Sequence, residues 1–220
     1  MVASKKTSGK SRQPISREKV LKVAMRLADR QGTASLSMRK IAQAIGVEAM
    51  SLYNHVANKD DLLDGLLDAV VGEFEQPGTE GDWRSAIRAS AISAHQVLCK
   101  HPWAAEMMLS RIRVGPASLA WADSTIGCLQ RAGFSYPMAD HAWNAIENHI
   151  YGFTLQAINS PVQPEAYAEA AAQYLPMIPA DKYPHLNAMA TLVASGEHTG
   201  VNDFEFGLEL QLDGLRRLLG

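Results

Sequence analysis

Two groups of residues in this chain could do chemistry, each of a different kind. His95 and Cys99 stand one helical turn apart with His101 close behind, a spacing that can place two ligands on one metal ion. No third and fourth ligand completes that set, so the expected reading is two part-buried residues of a helical body, with no metal and no cofactor. Catalysis has no signature either: GxSxG, HExxH, a phosphate-binding P-loop and a dinucleotide glycine run are all missing from the sequence. The second group is Tyr53-Asn54-His55 with Lys59 close behind. A carboxamide can pair with adenine in two places, which makes Asn54 the candidate for reading a base edge. Tyr53 and His55 could equally be a core aromatic and a hydrogen-bonded structural histidine.

Charge favours the nucleic-acid reading. The net charge of −2 hides an asymmetry. Residues 1–59 carry twelve Lys and Arg against three acids, +9, whereas residues 60–220 carry nine against twenty, −11. A basic end lowers the free energy of approach to a polyanion by displacing condensed counterions, and an acidic body discourages wrapping. Cys99 and Cys128 are the only cysteines and form no CxxC pair, which fits a reducing compartment. No signal-like apolar segment follows the N-terminal lysines and no long apolar run occurs, so a soluble cytoplasmic protein is expected.

The elements that must position these residues read as helices throughout. Residues 1–15 are a disordered basic arm, 16–76 a first domain and 77–220 a second. Val20, Val23, Ala24, Leu27 and Ala28 make a helical stripe between a Ser16 cap and Gly32. Ser37 caps a short helix with Met38, Ile41, Ala42 and Ile45 inward and Gly46 at its end. A helix over Ala49–His55 follows, with Leu52 and Val56 inward and Ala49, Met50, Tyr53 and Asn54 outward. Two short helices joined by a tight glycine turn outline a helix-turn-helix. Asn58 starts a fourth helix that runs to about Glu75. The second domain reads as helices over Asp82–Lys100, Pro102–Ile112, Pro116–Ala132, Pro137–Ile158, Glu165–Leu175 and His185–Ala194. A last one is capped by Asn202; the strand-like alternation of Phe206–Leu212 is overruled by the leucine stripe that continues to Leu219. The prolines fall at helix starts and ends, which marks separate helices of a bundle.

The run Ser51-Leu52-Tyr53-Asn54-His55-Val56-Ala57-Asn58-Lys59-Asp60-Asp61-Leu62-Leu63, preceded by Leu36-Ser37-Met38-Arg39-Lys40-Ile41-Ala42-Gln43-Ala44-Ile45-Gly46-Val47, closely resembles the DNA-binding domain of TetR-family repressors, over about residues 16–76. It is most similar to the tetracycline-repressor branch. The resemblance implies an all-α protein: an N-terminal three-helix helix-turn-helix domain joined by a fourth helix to a C-terminal bundle that binds ligand and dimerises. It implies phosphate contacts from Tyr53, His55 and Lys59 and backbone and base contacts from Ser37 and Arg39, with Met38, Ala49, Met50, Ser51 and Asn54 completing the DNA-facing set. Where tetracycline repressors usually carry Gln-Pro, this chain has Ala49-Met50, so its operator should differ.

For the body, the resemblance implies a homodimer paired through the Pro137–Ile158 and Asn202–Gly220 helices, on a palindromic double-stranded operator, released by a small-molecule effector. Within Pro137–Ile158, His141, Asn144, Asn148 and Tyr151 form a polar stripe and Trp143, Ile146, Ile150 and Phe153 an apolar one. Ala142, Ala145, His149 and Gly152 form a mostly small face, which predicts burial on most sides. Gly207 and Gly214 would allow close approach between helices. An apolar pocket with a few polar groups has candidates in His95, Trp103, Met107, Met108, Trp121, His141 and Asn144. Two other functions stay open on the residues alone: a ligand-independent architectural or partner-recruiting DNA protein, and an enzyme with a DNA-binding head.

Overall fold

The structure is a computed structural model that describes residues 15–219, so the basic arm falls, but for Ile15, outside the described residues. Among these residues every regular element is helical, and the chain forms two compact units, one ending at Ala69 and the other beginning at Val70.

The first unit begins with α1 (Arg17–Gln31), where the Ser16 hydroxyl accepts from the Lys19 amide at 3.2 Å. Val20, Val23, Ala24 and Ala28 are buried but Leu27 only half so, which narrows the expected stripe. Gly32 ends α1 at φ 72°, ψ 161°, outside the left-handed helical region and within a conformation reserved for glycine. α2 (Met38–Ile45) is capped by Ser37 and closed by Gly46, whose left-handed φ of 83° lets its amide reach back to Ala42 O at 2.8 Å. α3 is Ala49–Leu52, and α4 is Lys59–Val71. Two expected lengths are corrected here. α3 stops at Leu52, because little chain separates it from the Asn58 cap and the backbone tightens, with the Tyr53 amide on Met50 O and the His55 amide on Leu52 O. The fourth helix stops at Val71, beyond which the Glu73 and Phe74 amides make three-residue turns and the Glu75 amide is taken by the Ser93 hydroxyl at 2.9 Å.

In the second unit α5 (Trp83–Lys100) is capped by Asp82, followed by α6 (Pro102–Met108), α7 (Pro116–Arg131) and α8 (Tyr136–Ile158). A proline occupies the first turn of α6, α7 and α8, where its missing N–H leaves no bond unmade. α9 (Tyr167–Tyr174), α10 (Pro184–Ala194) and α11 (Phe204–Arg217) complete the chain. α8 is the axis, packed against α5, α6, α7 and α11, and it buries Ala139, Ala142, Ile146, Ile150 and Thr154. Fully burying a side chain such as Ile150 contributes about 1.5–3 kcal/mol to the stability of the unit. α6 ends at Met108 instead of Ile112, because Arg113 turns inward to Glu147 of α8 and the 109–115 stretch must unwind to let it. Between Pro161 and Tyr183 only α9 is α-helical, flanked by single 3₁₀ turns at Pro164–Ala166 and Leu175–Met177, so the helix expected over Glu165–Leu175 is shorter. The last helix is capped by Asp203, whose carboxylate accepts from the Phe206 amide at 3.1 Å, not by Asn202.

α8 also departs from the expectation of burial on most sides. His141, Asn144, Ala145, Asn148 and Gly152 are exposed in the single chain, whereas Tyr151, expected on the polar stripe, is buried. α11 presents Phe206 and Leu210 outward at 65% and 61% exposure, and Leu218 just past its end is 60% exposed. Phe204, Leu208 and Leu212 bury its opposite side, and its flank is held to α5 by ion pairs from Arg84 to Glu209 and Asp213 and from Arg88 to Glu205 and Glu209.

Gly207 meets α8 of its own chain. A β-carbon there would lie 2.5 Å from His149 Cε1, while at Gly214 it would meet nothing within 4 Å. The His149 ring cannot easily retreat, since its Nε2 donates to Phe204 O at 2.9 Å and the ring stacks on Phe204 with centroids 4.8 Å apart. Gly207→Ala should therefore cost about 1–3 kcal/mol in urea denaturation, as overpacking does. That cost should shrink when His149 is already alanine, which a double-mutant cycle would read.

Candidate nucleic-acid interface and ligand cavities

The recognition segment is built from the inside out. Leu52 is fully buried and Val56 all but so, which holds one face of α3 and its following turn on the core of the first unit. The opposite face is left in water: Met50 is 76% and Tyr53 46% exposed, with Asn54 beside them. Ala49, Ser51 and His55 are half-buried, and so is Met38 on α2. Arg39 is exposed in the first turn of α2 and Lys59 at the first position of α4. Ser37 accepts from the Lys40 amide at 3.3 Å, which leaves its own O–H free to donate to an anion. Lys59 sits where the first-turn amides of α4 add their dipole to its ammonium. Together these groups offer an apolar contact, a carboxamide that can reach a base edge, and hydroxyl, phenol and ammonium donors of the kind that grip phosphate.

What fixes the turn between α3 and α4 is a clamp 44 residues apart in sequence. Arg17, at the start of α1, donates from Nη1 to His55 O at 3.0 Å and to Asp61 Oδ2 at 2.9 Å, and from Nη2 to Asp61 Oδ1 at 2.7 Å. Asp61 Oδ2 also accepts from the Ala57 amide at 2.7 Å, and Asn58 caps α4 through the Asp61 amide at 2.9 Å. The Arg17 hydrogen bonds, then the Ala57 amide, hold the Asp61 carboxyl below its usual range. Nothing local in sequence links Arg17 to the turn it holds.

The residues proposed for a ligand pocket do not gather in one place. Trp103, Met107, Met108 and Trp121 are buried, and the Trp121 indole donates to Ser90 Oγ at 3.0 Å and meets the Phe74 ring edge-on at 5.2 Å. His141 and Asn144 face solvent, Asn144 donating back to Asp140 O at 2.8 Å. His95 lines a cavity of 500 Å³ together with Ile92, Phe153, Val201 and Asp203. Thr154 spends its proton on Ile150 O at 2.6 Å, so at 2.8 Å it accepts from His95 Nδ1, which fixes the histidine tautomer. Burial, and then the neighbouring His149, push the His95 pKa down, so its ring is neutral and stacks on Phe204 at 4.3 Å. Cys99 Sγ lies 3.8 Å from the His95 ring nitrogens, and burial raises its thiol pKa. Among the described residues no cluster of His, Cys, Asp or Glu is arranged to hold a metal ion. No helix among them is long and apolar enough to cross a membrane.

A further polar site escaped the sequence reading. Arg113 donates to Glu147 Oε1 and to the Tyr151 hydroxyl, both at 2.8 Å, and Tyr151 donates to the same carboxylate oxygen at 2.6 Å. Burial, and then the adjacent Glu147 charge, raise the Tyr151 pKa well above its ordinary value, so it stays a proton donor. The spacing of Glu147 and Tyr151 by one helical turn was visible, but nothing pointed to an arginine from a loop.

Both parts of the chain have counterparts among known proteins. Residues 20–66 match the family described as bacterial regulatory proteins, tetR family, and residues 76–219 match the tetracyclin repressor-like C-terminal domain. An HTH-type transcriptional regulator of Saccharopolyspora erythraea is 40% identical over 139 residues, 63% of this chain and 59% of that protein. The chain thus spans less than two thirds of that relative's length. The HTH-type transcriptional repressor DrrR1 of Streptomyces coeruleorubidus is 31% identical over 215 residues, 92% of this chain and 77% of its own. The crystal structure of the Streptomyces coelicolor TetR family protein ActR in complex with actinorhodin superposes with a TM-score of 0.79 at 28% identity, covering 94% of this chain and all of that one. This chain belongs to the TetR family of bacterial transcriptional regulators.

Proposed function

We propose that the chain is a dimeric repressor that binds a palindromic operator and is released from it by a small-molecule effector. The observation that carries the reading is the segregation around α3. Leu52 and Val56 are sunk in the core while Met50, Tyr53 and Asn54 project from a unit edged by Arg39 and Lys59. A family relative named a repressor and a neighbour solved with a bound small molecule support the two halves of the proposal. For the dimer, the outward Phe206 and Leu210 of α11, Leu218 just past it, and the exposed Ala145, Asn148 and Gly152 of α8 are surfaces a second copy would cover. Localisation in the cytoplasm follows from the same reading.

The testing experiment is selection of bound DNA from a random pool. Two inverted half-sites, centred about one helical turn or a multiple of it apart, are the expected product. An extended footprint without symmetry would favour an architectural protein instead. Within the selected site, Lys59→Ala should weaken binding to all sequences alike and lower the slope of log affinity against log salt by about one. Asn54→Ala should relax preference at particular base pairs, costing about 1–3 kcal/mol there. An unchanged salt slope would remove Lys59 from the phosphate-binding set.

A further inference from the structure

A second cavity, of 320 Å³, lies at the C-terminal end of α8, and its chemistry differs from that of the sequence-predicted pocket. Phe153, Val162 and Val201 supply apolar wall, and Gln156, Tyr167 and Asn202 supply polar groups. Among the described residues that line it there is no Asp, Glu, Lys, Arg or His. Ser160 gives its proton to Val162 O at 2.7 Å and stands 3.4 Å from the Tyr167 hydroxyl, so Tyr167 is the donor of that pair and keeps its lone pairs for an incoming O–H or N–H. The volume falls at the lower end of the range of small-molecule sites, about 300–1,000 Å³. A charged ligand would lose its hydration here and meet no counter-ion, whereas an uncharged ring bearing a hydrogen-bonding substituent loses little.

This cavity is not isolated. Phe153, Val201 and Asn202 also line the larger cavity that His95 faces, so the two are lobes either side of one wall. That wall leads directly into α11. Asn202 precedes the capping Asp203, and the next residue, Phe204, is sandwiched between the rings of His95 and His149. An occupant that moves the 201–202 backbone therefore acts on the first turn of α11. A ligand shifts an equilibrium only by its differential affinity for the two states, and the start of α11 is where this site could create one.

We propose that this two-lobed cavity is an effector site and that its smaller, uncharged lobe takes an uncharged ring compound of one or two rings. The proposal rests on the reading of the chain as a ligand-released repressor and adds to it the place and the chemical class of the ligand.

The test uses benzophenone, a neutral two-ring ketone that inserts into nearby C–H bonds on irradiation, with the full chain and peptide mass spectrometry. Labelled residues should fall within 153–167 and 199–205. The anionic analogue 4-benzoylbenzoate should label that region about tenfold less, since the smaller lobe offers its carboxylate no cation and the larger one sets Asp203 and Glu205 against it. Ala157→Trp, which fills the cavity from the end of α8, should cut the labelling by about fivefold. Labelling confined to other helices would overturn the site, and equal labelling by the anion would overturn the ligand class. If Ala157→Trp does not melt as a folded protein, the map on the unaltered chain decides alone. Random-pool selection on the same preparation separates the two levels: a palindrome with label elsewhere sinks this site only, and no palindrome sinks the repressor reading.

Discussion

Arg113→Met should destabilise the C-terminal unit by about 3 kcal/mol or more, a larger loss than any single ion pair on the surface could give. Glu147 is only 9% and Tyr151 only 4% exposed, and one carboxylate oxygen of Glu147 accepts from both Arg113 and Tyr151. Removing the guanidinium leaves a carboxylate in a poorly hydrated site with one neutral donor, and the desolvation it suffered on folding is no longer offset. Taking away the carboxylate as well should change the sign of the next step. In Arg113→Met combined with Glu147→Leu the uncompensated charge is gone and apolar volume replaces it, so much of the lost stability should return. Urea denaturation of the two single variants and the double variant reads this directly. A double variant as unstable as the sum of the singles would show that packing, not charge, sets the cost. The pair also explains why α6 ends early: a loop that must deliver Arg113 to α8 cannot stay helical to Ile112.

The helices that the sequence disclosed most clearly are those whose signals are local. Ser16, Ser37 and Asp82 each cap the helix they precede, and Pro102, Pro116 and Pro137 each fall in a first turn. The inward pair Leu52 and Val56 was legible because a period of four residues is a property of a short window. Ends of helices were less so. Whether α3 stops at Leu52 or His55 depends on how soon the next helix begins, and whether the cap of α11 is Asn202 or Asp203 depends on which side chain reaches the Phe206 amide. Placement across the bundle was not legible at all. Trp103, Met107 and Trp121 have the composition of a pocket wall, yet burial among neighbours is a three-dimensional fact, and His141 and Asn144 on α8 turn to solvent. Gly207 was read as room for another helix, correctly in kind, but the neighbour that needs the room is His149. Among the candidate DNA-facing residues the sequence named side chains, while the clamp that holds their turn lay 44 residues away.

Arg17→Ala should weaken operator binding roughly tenfold, about 1.4 kcal/mol, while costing the fold less than about 1 kcal/mol. The two effects separate because the clamp is partly exposed, at 44% for the Arg17 side chain and 33% for Asp61, and an exposed pair contributes little to stability in water. Its work is positional. Arg17 holds the His55 carbonyl and Asp61 holds the Ala57 amide, so between them they define the turn that carries Tyr53, Asn54 and His55 into Lys59. Loosening that turn spreads the phosphate and base contacts over more conformations, and affinity falls although no contacting side chain has been removed. Asp61→Asn should reproduce part of the loss, since an amide oxygen can accept from Ala57 but cannot pair with both guanidinium nitrogens as a carboxylate does. The pH dependence has a definite sign. Asp61 titrates lower in the folded chain than unfolded, so its stabilising contribution is full above about pH 4 and is lost as the pH falls through the folded value. The stability gap between the parent chain and Asp61→Asn should therefore be constant from neutral pH down to that range and close below it. A gap that persists undiminished well below that range would show that the ionised Asp61 carboxylate is not its source.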